Sequence, residues 1–331
     1  MAHSTVYDVA DKAGVSIATV SRVINSPDKV NPETRSKVLS VIDELGYIPK
    51  AEAAARARKS AGRIGVLAPF FTYPSFVQRL RGVANALNSL PFEITIYNVD
   101  STARRDSYVT SLSLTRRLDG LILMALPFNQ VTVERLVDNS METVSIEVTH
   151  PSFSSIVIDD HEGGRMAAEY LIGKGHRQLG FIGDTDLPEY AFPTSDRRLG
   201  GYRAAIHEAG LELENAHIAL ASPSLENAKK CMNRLLDLQK HPTAVFCATD
   251  TQAMGALKAA RERGLQVPHD IAIMGFDDLD MADYIGLTTI RQHLEESGRL
   301  AVELLLARLE DRSRPIQNVR LTLEIVERET T

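Results

Sequence analysis

The stretch Thr5–Asn25, TVYDVADKAGVSIATVSRVIN, leaves little freedom for what its part of the chain can become. Thr5 and Asp8 form a T-x-x-D helix start. Val6, Val9, Ala10 and Ala13 then recur at helical spacing. Gly14 breaks the pattern and permits a tight turn. Ser16 is a second N-cap residue, and behind it Val20, Val23 and Ile24 share an inward face. Ile17, Ala18, Thr19, Ser21, Arg22 and Asn25 are left on the opposite face. A third helix is expected from Asn31-Pro32-Glu33, with Asn as cap and Pro in the first turn. Val38, Leu39, Val41, Ile42 and Leu45 form its apolar stripe, and Gly46 ends it. Three short helices with a Gly between the first two describe a helix-turn-helix unit. In that arrangement the helix after Ser16 enters a major groove, where Arg22 donates to guanine and Ile17, Ala18 and Thr19 meet base edges and thymine methyls. A small helical bundle with a solvated polar face is the alternative.

Charge separates this head from the remainder of the chain. The full length is 331 residues with a net charge of −6, a length that suits two or three domains. Residues 1–60 contain 9 Lys+Arg against 7 Asp+Glu, a balance of +2. Subtracted from the totals of 37 and 43, that leaves 28 against 36, or −8, for the body. A mildly basic head on an acidic body fits a small nucleic-acid contact, with the rest kept off the phosphates. The two cysteines, Cys231 and Cys247, allow one bridge at most and point to a reduced compartment; Cys247, inside a strand pattern, reads as an inert core thiol. The first residues lack the basic and apolar regions of a signal peptide. No apolar run approaches the ~18 residues of a membrane span. A cytoplasmic protein without membrane contact is expected.

From Arg63 onward, apolar runs alternate with amphipathic segments. Ile64–Ala68, Glu93–Val99, Gly120–Met124 and Thr143–Ile146 read as one series of strands. Leu179–Ile182, Ala244–Ala248 and Ile271–Phe276 read as a second, with helices such as Phe76–Leu90 and Arg198–Ala209 between them. The alternation implies parallel sheets with helices on both faces, and two series imply two lobes. Val319–Glu327 reads as a further strand with no heptad tail beyond it. The first strand is followed by no G-x-G-x-x-G, and there is no Walker loop, H-E-x-x-H or G-x-S-x-G. The nine His show no metal-ligand spacing. Neither enzyme chemistry, a metal nor a cofactor is expected.

The run Tyr7 to Asn25 closely resembles the N-terminal signature of the lactose/galactose repressor (LacI/GalR) family of bacterial transcription regulators. Val30-Asn31-Pro32-Glu33-Thr34-Arg35 and Leu45-Gly46-Tyr47-Ile48-Pro49 continue the likeness. In the body it extends through Ile158–Gly164, Leu171–Arg177, Phe181–Gly183, Arg198–Tyr202 and Ile273–Asp278. The resemblance implies an all-α helix-turn-helix head at 1–48, a hinge helix at 49–61, and an α/β two-lobed, periplasmic-binding-protein-like body at 62–331. Its N-subdomain would be about 62–161 and 292–322, and its C-subdomain about 162–291 and 323–331. A homodimer on pseudo-palindromic operator DNA is implied, with a small effector held between the lobes.

The resemblance also assigns roles. Ile17 and Ala18 match the base-reading pair, and Arg22 a base or phosphate contact. Thr19, Ser21 and Asn25 would position the helix on the backbone, with Thr5, Tyr7, Ser16 and Tyr47 as phosphate contacts. The Ala-rich segment from Pro49 to Ser60 is a good helix former but marginal alone; a plain basic tether is its alternative. As the hinge it would bring Ala53 and Arg56 to the minor groove, and counting from Tyr47 puts Arg56 where the family has a wedging Leu.

In the body, Arg198 matches the effector-binding Arg, and Asp277 stands at the carboxyl end of its strand, where the family has an effector-binding Asp. A guanidinium and a carboxylate suit a polyhydroxylated ligand, whose hydroxyls both donate and accept. Phe70, Tyr73, Phe76, Phe128, Tyr190 and Phe192 are candidates to stack on a sugar face, and Asp160 and Asp250 to bind hydroxyls. Core packing is the alternative for each aromatic, and an interlobe ion pair for Arg198 with Asp277. A sugar-type inducer is the leading expectation; a purine, nucleoside or co-repressor effector is the variant. A transport-type sugar-binding protein would instead require a signal peptide and no head.

Overall fold

The computed structural model describes residues 4–25, 27–47, 62–115, 117–185 and 187–331. The head begins with helix α1, Val6–Ala13, whose start is a complete capping box: the Asp8 amide donates to Thr5 Oγ1 and the Thr5 amide to Asp8 Oδ2, at 2.6 Å. Gly14 closes α1 at φ 64°, its amide directed to the carbonyls of Ala10 and Asp11. Helix α2 spans Ile17–Asn25, preceded by Ser16, whose Oγ accepts the Thr19 amide at 3.2 Å. Helix α3, Pro32–Leu45, is capped by Asn31 Oδ1 on the Glu33 amide at 2.9 Å and ended by Gly46 at φ 57°. Val9, Ala13, Val20, Val23, Val38 and Ile42 are buried between the three. Each of the Val and Ile side chains contributes on the order of 1.5–3 kcal/mol when fully buried.

The described chain gathers into two compact units. The first takes in the described residues within 1–70, 84–155 and 301–317, and the second those within 71–83, 156–300 and 318–331. The head thus groups with the first lobe, while residues 71–83 and 292–300 group with the second.

The first sheet contains β1 (Gly62–Ala68), β2 (Phe92–Asn98), β3 (Gly120–Met124), β4 (Glu142–Ile146) and β5 (Ser154–Val157), with β11 (Asn318–Arg320) at its edge. Its order is β11-β5-β4-β3-β1-β2. β1 pairs in parallel with β2 and β3, setting Ile64 opposite Ile94 and Gly120. Helices α4 (Pro74–Leu87), α5 (Thr102–Thr115) and α6 (Gln130–Asp138) connect these strands. The second sheet is parallel, in the order β7-β6-β8-β9, from β6 (Leu179–Asp184), β7 (Ile218–Ala221), β8 (Ala244–Cys247) and β9 (Ala272–Met274). Around it run α7 (Asp160–Gly173), α8 (Thr194–Glu208), α9 (Leu225–Leu236), α10 (Asp250–Glu262) and α11 (Asp280–Tyr284), whereas Leu305 of α12 (Leu294–Glu310) packs on Gly120 of β3 in the first sheet. The helical head and the α/β body with parallel sheets match the expected architecture.

The strand expected over Val319–Glu327 is two strands. β11 joins the large sheet, and β12 (Glu324–Val326) pairs antiparallel with β10 (Thr289–Arg291) in a separate ribbon. The polar β5, Ser154-Ser155-Ile156-Val157, and the three-residue β10 carry too little apolar signal to stand out in the sequence, and β7, though apolar, is only four residues long. The segment Ala53–Arg56, expected at the minor groove, lies outside the described residues. No described helix is long and apolar enough to cross a membrane.

One helix crossing places the site. A Cβ on Gly164 would lie 1.8 Å from the Arg198 carbonyl oxygen, and one on Gly201 1.7 Å from that of His161. α7 and α8 therefore touch backbone to backbone. That approach brings Asp160, at the start of α7, to Arg198 in the first turns of α8.

Candidate functional site

The reading face expected on α2 is open. Ile17 is 41% exposed, and Ser16, Ala18, Ser21 and Arg22 are exposed beside it. Residues 17, 18, 21 and 22 fall on one side of a helix, opposite the buried Val20 and Val23. Tyr7 is exposed at 68%. Thr5 is engaged in the capping box and donates its hydroxyl to Asp8 at 2.7 Å. Thr19 is half-buried and shares a hydrogen bond with Ser16 at 2.9 Å. Asn25 is the last residue of α2. Tyr47 departs from the group: it is buried in the head's core.

In the second unit, Arg198 stands among acids at the carboxyl ends of the parallel strands. Its Nε donates to Asp160 Oδ1 at 2.9 Å, and a terminal nitrogen lies 3.8 Å from Asp277 Oδ1. The same nitrogen donates to the Ala248 carbonyl at 2.5 Å. Its guanidinium carbon sits 3.5 Å from the centroid of the Phe276 ring, a cation–π contact in a dry environment. All three charged side chains are nearly inaccessible, at 3–4%. Burial pushes the Asp277 carboxyl well above the usual aspartate range, with Arg198 opposing and Asp250 adding to the rise. Asp277 Oδ1 also accepts from Gln292 Nε2 at 2.5 Å, and Gln292 Oε1 accepts from Arg79 at 3.0 Å.

The loop after β9 is unusual. Asp277 and Asp278 both have positive φ, 129° and 56°, which non-Gly residues rarely adopt. Asp278 is held there by Arg291 at 2.7 Å and Arg328 at 2.9 Å. Asp250 clasps the same loop from α10. Its Oδ2 accepts the Leu279 amide at 2.7 Å and its Oδ1 the Thr289 hydroxyl at 2.5 Å. Each oxygen expected to bind a ligand hydroxyl thus already accepts a bond from the protein, and desolvation raises this carboxyl's pKa.

A further acid, absent from the expected set, joins the site. Asp184 ends β6; its Oδ1 accepts from Gln252 Nε2 at 2.6 Å, and its amide donates to Ser195 Oγ at 2.9 Å. Burial raises its carboxyl to about 6, against the lowering influence of Arg198 and Gln252. In the order β7-β6-β8-β9 the chain reverses direction between β6 and β8. That is the switch point where open α/β sheets bind ligands, and Asp184, Ala248 and Asp250 flank it. The position of Asp184 at a strand's carboxyl end was the available signal. Gln252, Gln292 and Arg79 offered none, because their partners are remote in sequence.

Of the aromatics, Tyr73 lies within electrostatic reach of both Asp184 and Tyr190. Burial raises the Tyr73 hydroxyl pKa, and the nearby Asp184 and Tyr190 add to it. Phe192 packs under the Arg197 guanidinium at 5.2 Å. Phe76 is 8% exposed with Arg79 at 5.9 Å from its ring, a core position. Phe70 and Phe128 belong to the first unit. Phe70 is half-buried at φ 49°, and Phe128 meets Phe153 edge-on at 5.7 Å and His150 at 5.8 Å.

Comparison with known proteins decides the family. Residues 5–50 match the model of bacterial regulatory proteins of the lacI family, and residues 168–331 that of a periplasmic binding protein-like domain. Catabolite control protein A of Priestia megaterium is 33% identical over 307 residues, covering 91% of each chain. The chain belongs to the lacI family of bacterial regulatory proteins. The lac repressor dimer bound to operator and the anti-inducer ONPF superposes with a TM-score of 0.71 at 27% identity, covering 100% of this chain and 99% of that one. A transcriptional regulator CelR–cellobiose complex gives 0.70 at 28%, covering 99% and 100%. This lacI-family chain is a DNA-binding transcription regulator with an effector-binding body.

Proposed function

We propose that this regulator is a repressor of carbohydrate-utilisation genes, released from a pseudo-palindromic operator by a sugar or sugar derivative. The observation that carries the effector class is the Arg198 cluster with Asp160 and Asp277, beside Asp184, Gln252, Tyr73 and Tyr190. Donors and acceptors alternate there with aromatic faces, as a neutral polyol requires. The cellobiose held by CelR and the operator held by the lac repressor support the same reading. Ile17 and Ala18 read base edges, with Arg22 beside them. Thr19, Ser21 and Asn25 set the helix on the phosphates, and Thr5, Tyr7 and Ser16 add backbone contacts, while the buried Tyr47 serves the head's core instead. Ala53 and Arg56 act in the minor groove.

The protein works in the cytoplasm as a homodimer and turns over no substrate. Met281 and Tyr284, 51% and 84% exposed on α11, are apolar surface suited to a second copy. The effector acts only through its differential affinity for the two states of the regulator. A thermal-shift screen of sugars and nucleosides tests the reading, because a ligand at 100 times its Kd adds about 2.7 kcal/mol. A stabilising sugar should then weaken operator binding at fixed salt. Stabilisation by nucleosides alone would replace sugar by nucleoside, and tighter operator binding would make the ligand a co-repressor.

A further inference from the structure

Helix α5 is buried where a surface helix should not be. Leu112, Ser113, Leu114 and Thr115 are consecutive and all buried. Four successive positions cover a full helical turn, whereas packing on one sheet buries a stripe little more than 100° wide. Val109 and Leu112, three apart, form one face. Leu114 points elsewhere and joins the head's own cluster with Val23, Leu39, Ile42 and Tyr47. The same head residues and Ile24 line a small cavity completed by Ser111, Leu114 and Thr115. The second cover over this turn is the head.

The chemistry of the contact is apolar. The hydroxyls of Ser111, Ser113 and Thr115 each turn back on α5, donating to the carbonyls of Tyr108, Thr110 and Ser111. The hydrocarbon sides of Ser111 and Thr115 are thus left to the head. A second point of approach lies at the end of α3. Partial desolvation raises the Asp43 pKa, Arg135 opposes it and Asp138 adds to it, placing both α6 residues within electrostatic reach. Arg135 has one buried terminal nitrogen with no hydrogen-bond partner. Ile17, Ala18, Ser21 and Arg22 remain exposed throughout, so docking hides the back of the head and leaves its reading face free.

We propose that the turn Ser111–Thr115 of α5 is a docking site for the chain's own head, with Leu114 as its anchor, and that docking holds the reading helix in its DNA-competent orientation. A fixed head has less orientational freedom to lose on binding DNA. The body thereby acts on the head by direct contact as well as through the covalent connection at 48–61.

The test compares the full-length chain with Leu114→Asp and the gentler Leu114→Ala. Hydrogen exchange is followed in peptides covering 109–115 and 38–45, with peptides from β1 and β3 reporting on the folding of the body. Affinity is measured at fixed salt for a duplex selected from a random pool by the wild-type chain. Leu114→Asp should speed exchange at least threefold in both head-contact peptides, leave β1 and β3 unchanged and weaken DNA binding at least tenfold; Leu114→Ala should do the same to a smaller extent. If Leu114→Asp disturbs β1 and β3, Leu114→Ala alone decides. Unchanged exchange overturns the docking, and faster exchange with unchanged or tighter DNA binding overturns its orienting role. The exchange readout does not depend on the DNA-reading assignment, so failure of one is distinguishable from failure of the other.

Discussion

Arg198→Met removes a charge while keeping an unbranched side chain of similar reach. The guanidinium it deletes pairs with Asp160 at 2.9 Å, approaches Asp277 at 3.8 Å and covers the Phe276 ring. Breaking a buried pair by removing one partner typically costs about 3–5 kcal/mol. Here the loss has a ceiling, because the stranded Asp160 can take up a proton. Neutralising an aspartate with an ordinary pKa of 3.8 at pH 7 costs about 1.4 kcal/mol per pH unit, or roughly 4 kcal/mol. Asp277, already displaced upward by burial, adds less. In the variant these folded-state carboxyl pKa values are raised. Their stability contribution is therefore full at low pH and is lost as pH rises through them. The gap between wild type and variant should be about 4 kcal/mol at pH 7 and shrink to roughly 1–2 kcal/mol at pH 5. Scanning calorimetry of both proteins at the two pH values, following the transition that effector binding shifts, measures it. A gap that stays constant with pH, or one below about 1 kcal/mol at pH 7, would refute a charge balance centred on Arg198.

Asp184 should make the wild type lose stability between about pH 4 and 6. Its folded pKa is raised from 3.8 to about 6, so ionising it in place costs up to about 3 kcal/mol. Asp184→Asn keeps an oxygen for Gln252 and should flatten that part of the curve of Tm against pH; parallel curves would remove Asp184 as the cause. Gly201→Ala should destabilise by about 1–3 kcal/mol or more, since its Cβ would meet the His161 carbonyl at 1.7 Å. Urea unfolding measures this, and a neutral result would mean that α7 and α8 do not cross at backbone contact.

The head was legible because its signals are local. Thr5 with Asp8, Gly14, Ser16, Asn31-Pro32 and Gly46 each act within a few residues, and each stands at a helix end in the structure. The parallel strands were legible for a related reason: strands buried on both faces read as continuous apolar runs. What failed was of the opposite kind. β5 and β10 are short and partly polar, and they are strands only because a neighbour supplies the ladder. Val319–Glu327 has the period of one strand, yet it divides between two sheets at Leu321–Leu323, a choice made by partners far away in sequence.

The site divides along the same line. Arg198, Asp160 and Asp277 were recognised and do converge, because a family motif marks each of them. Asp250 was a candidate by residue type alone, but its oxygens hold Leu279 and Thr289, and no local pattern distinguishes a carboxylate that meets ligand from one that fastens a loop. Gln292 and Arg79 are 213 residues apart and carry no signature. Yet Gln292 supplies the hydrogen bond that opposes the desolvation of Asp277, and without such a donor a carboxyl at that depth would be neutral over a wider pH range. The residues that set the charge state of a binding site are thus partly invisible to sequence reading for a physical reason. Their identity is fixed by the one buried atom they must satisfy, and only the folded chain says which atom that is.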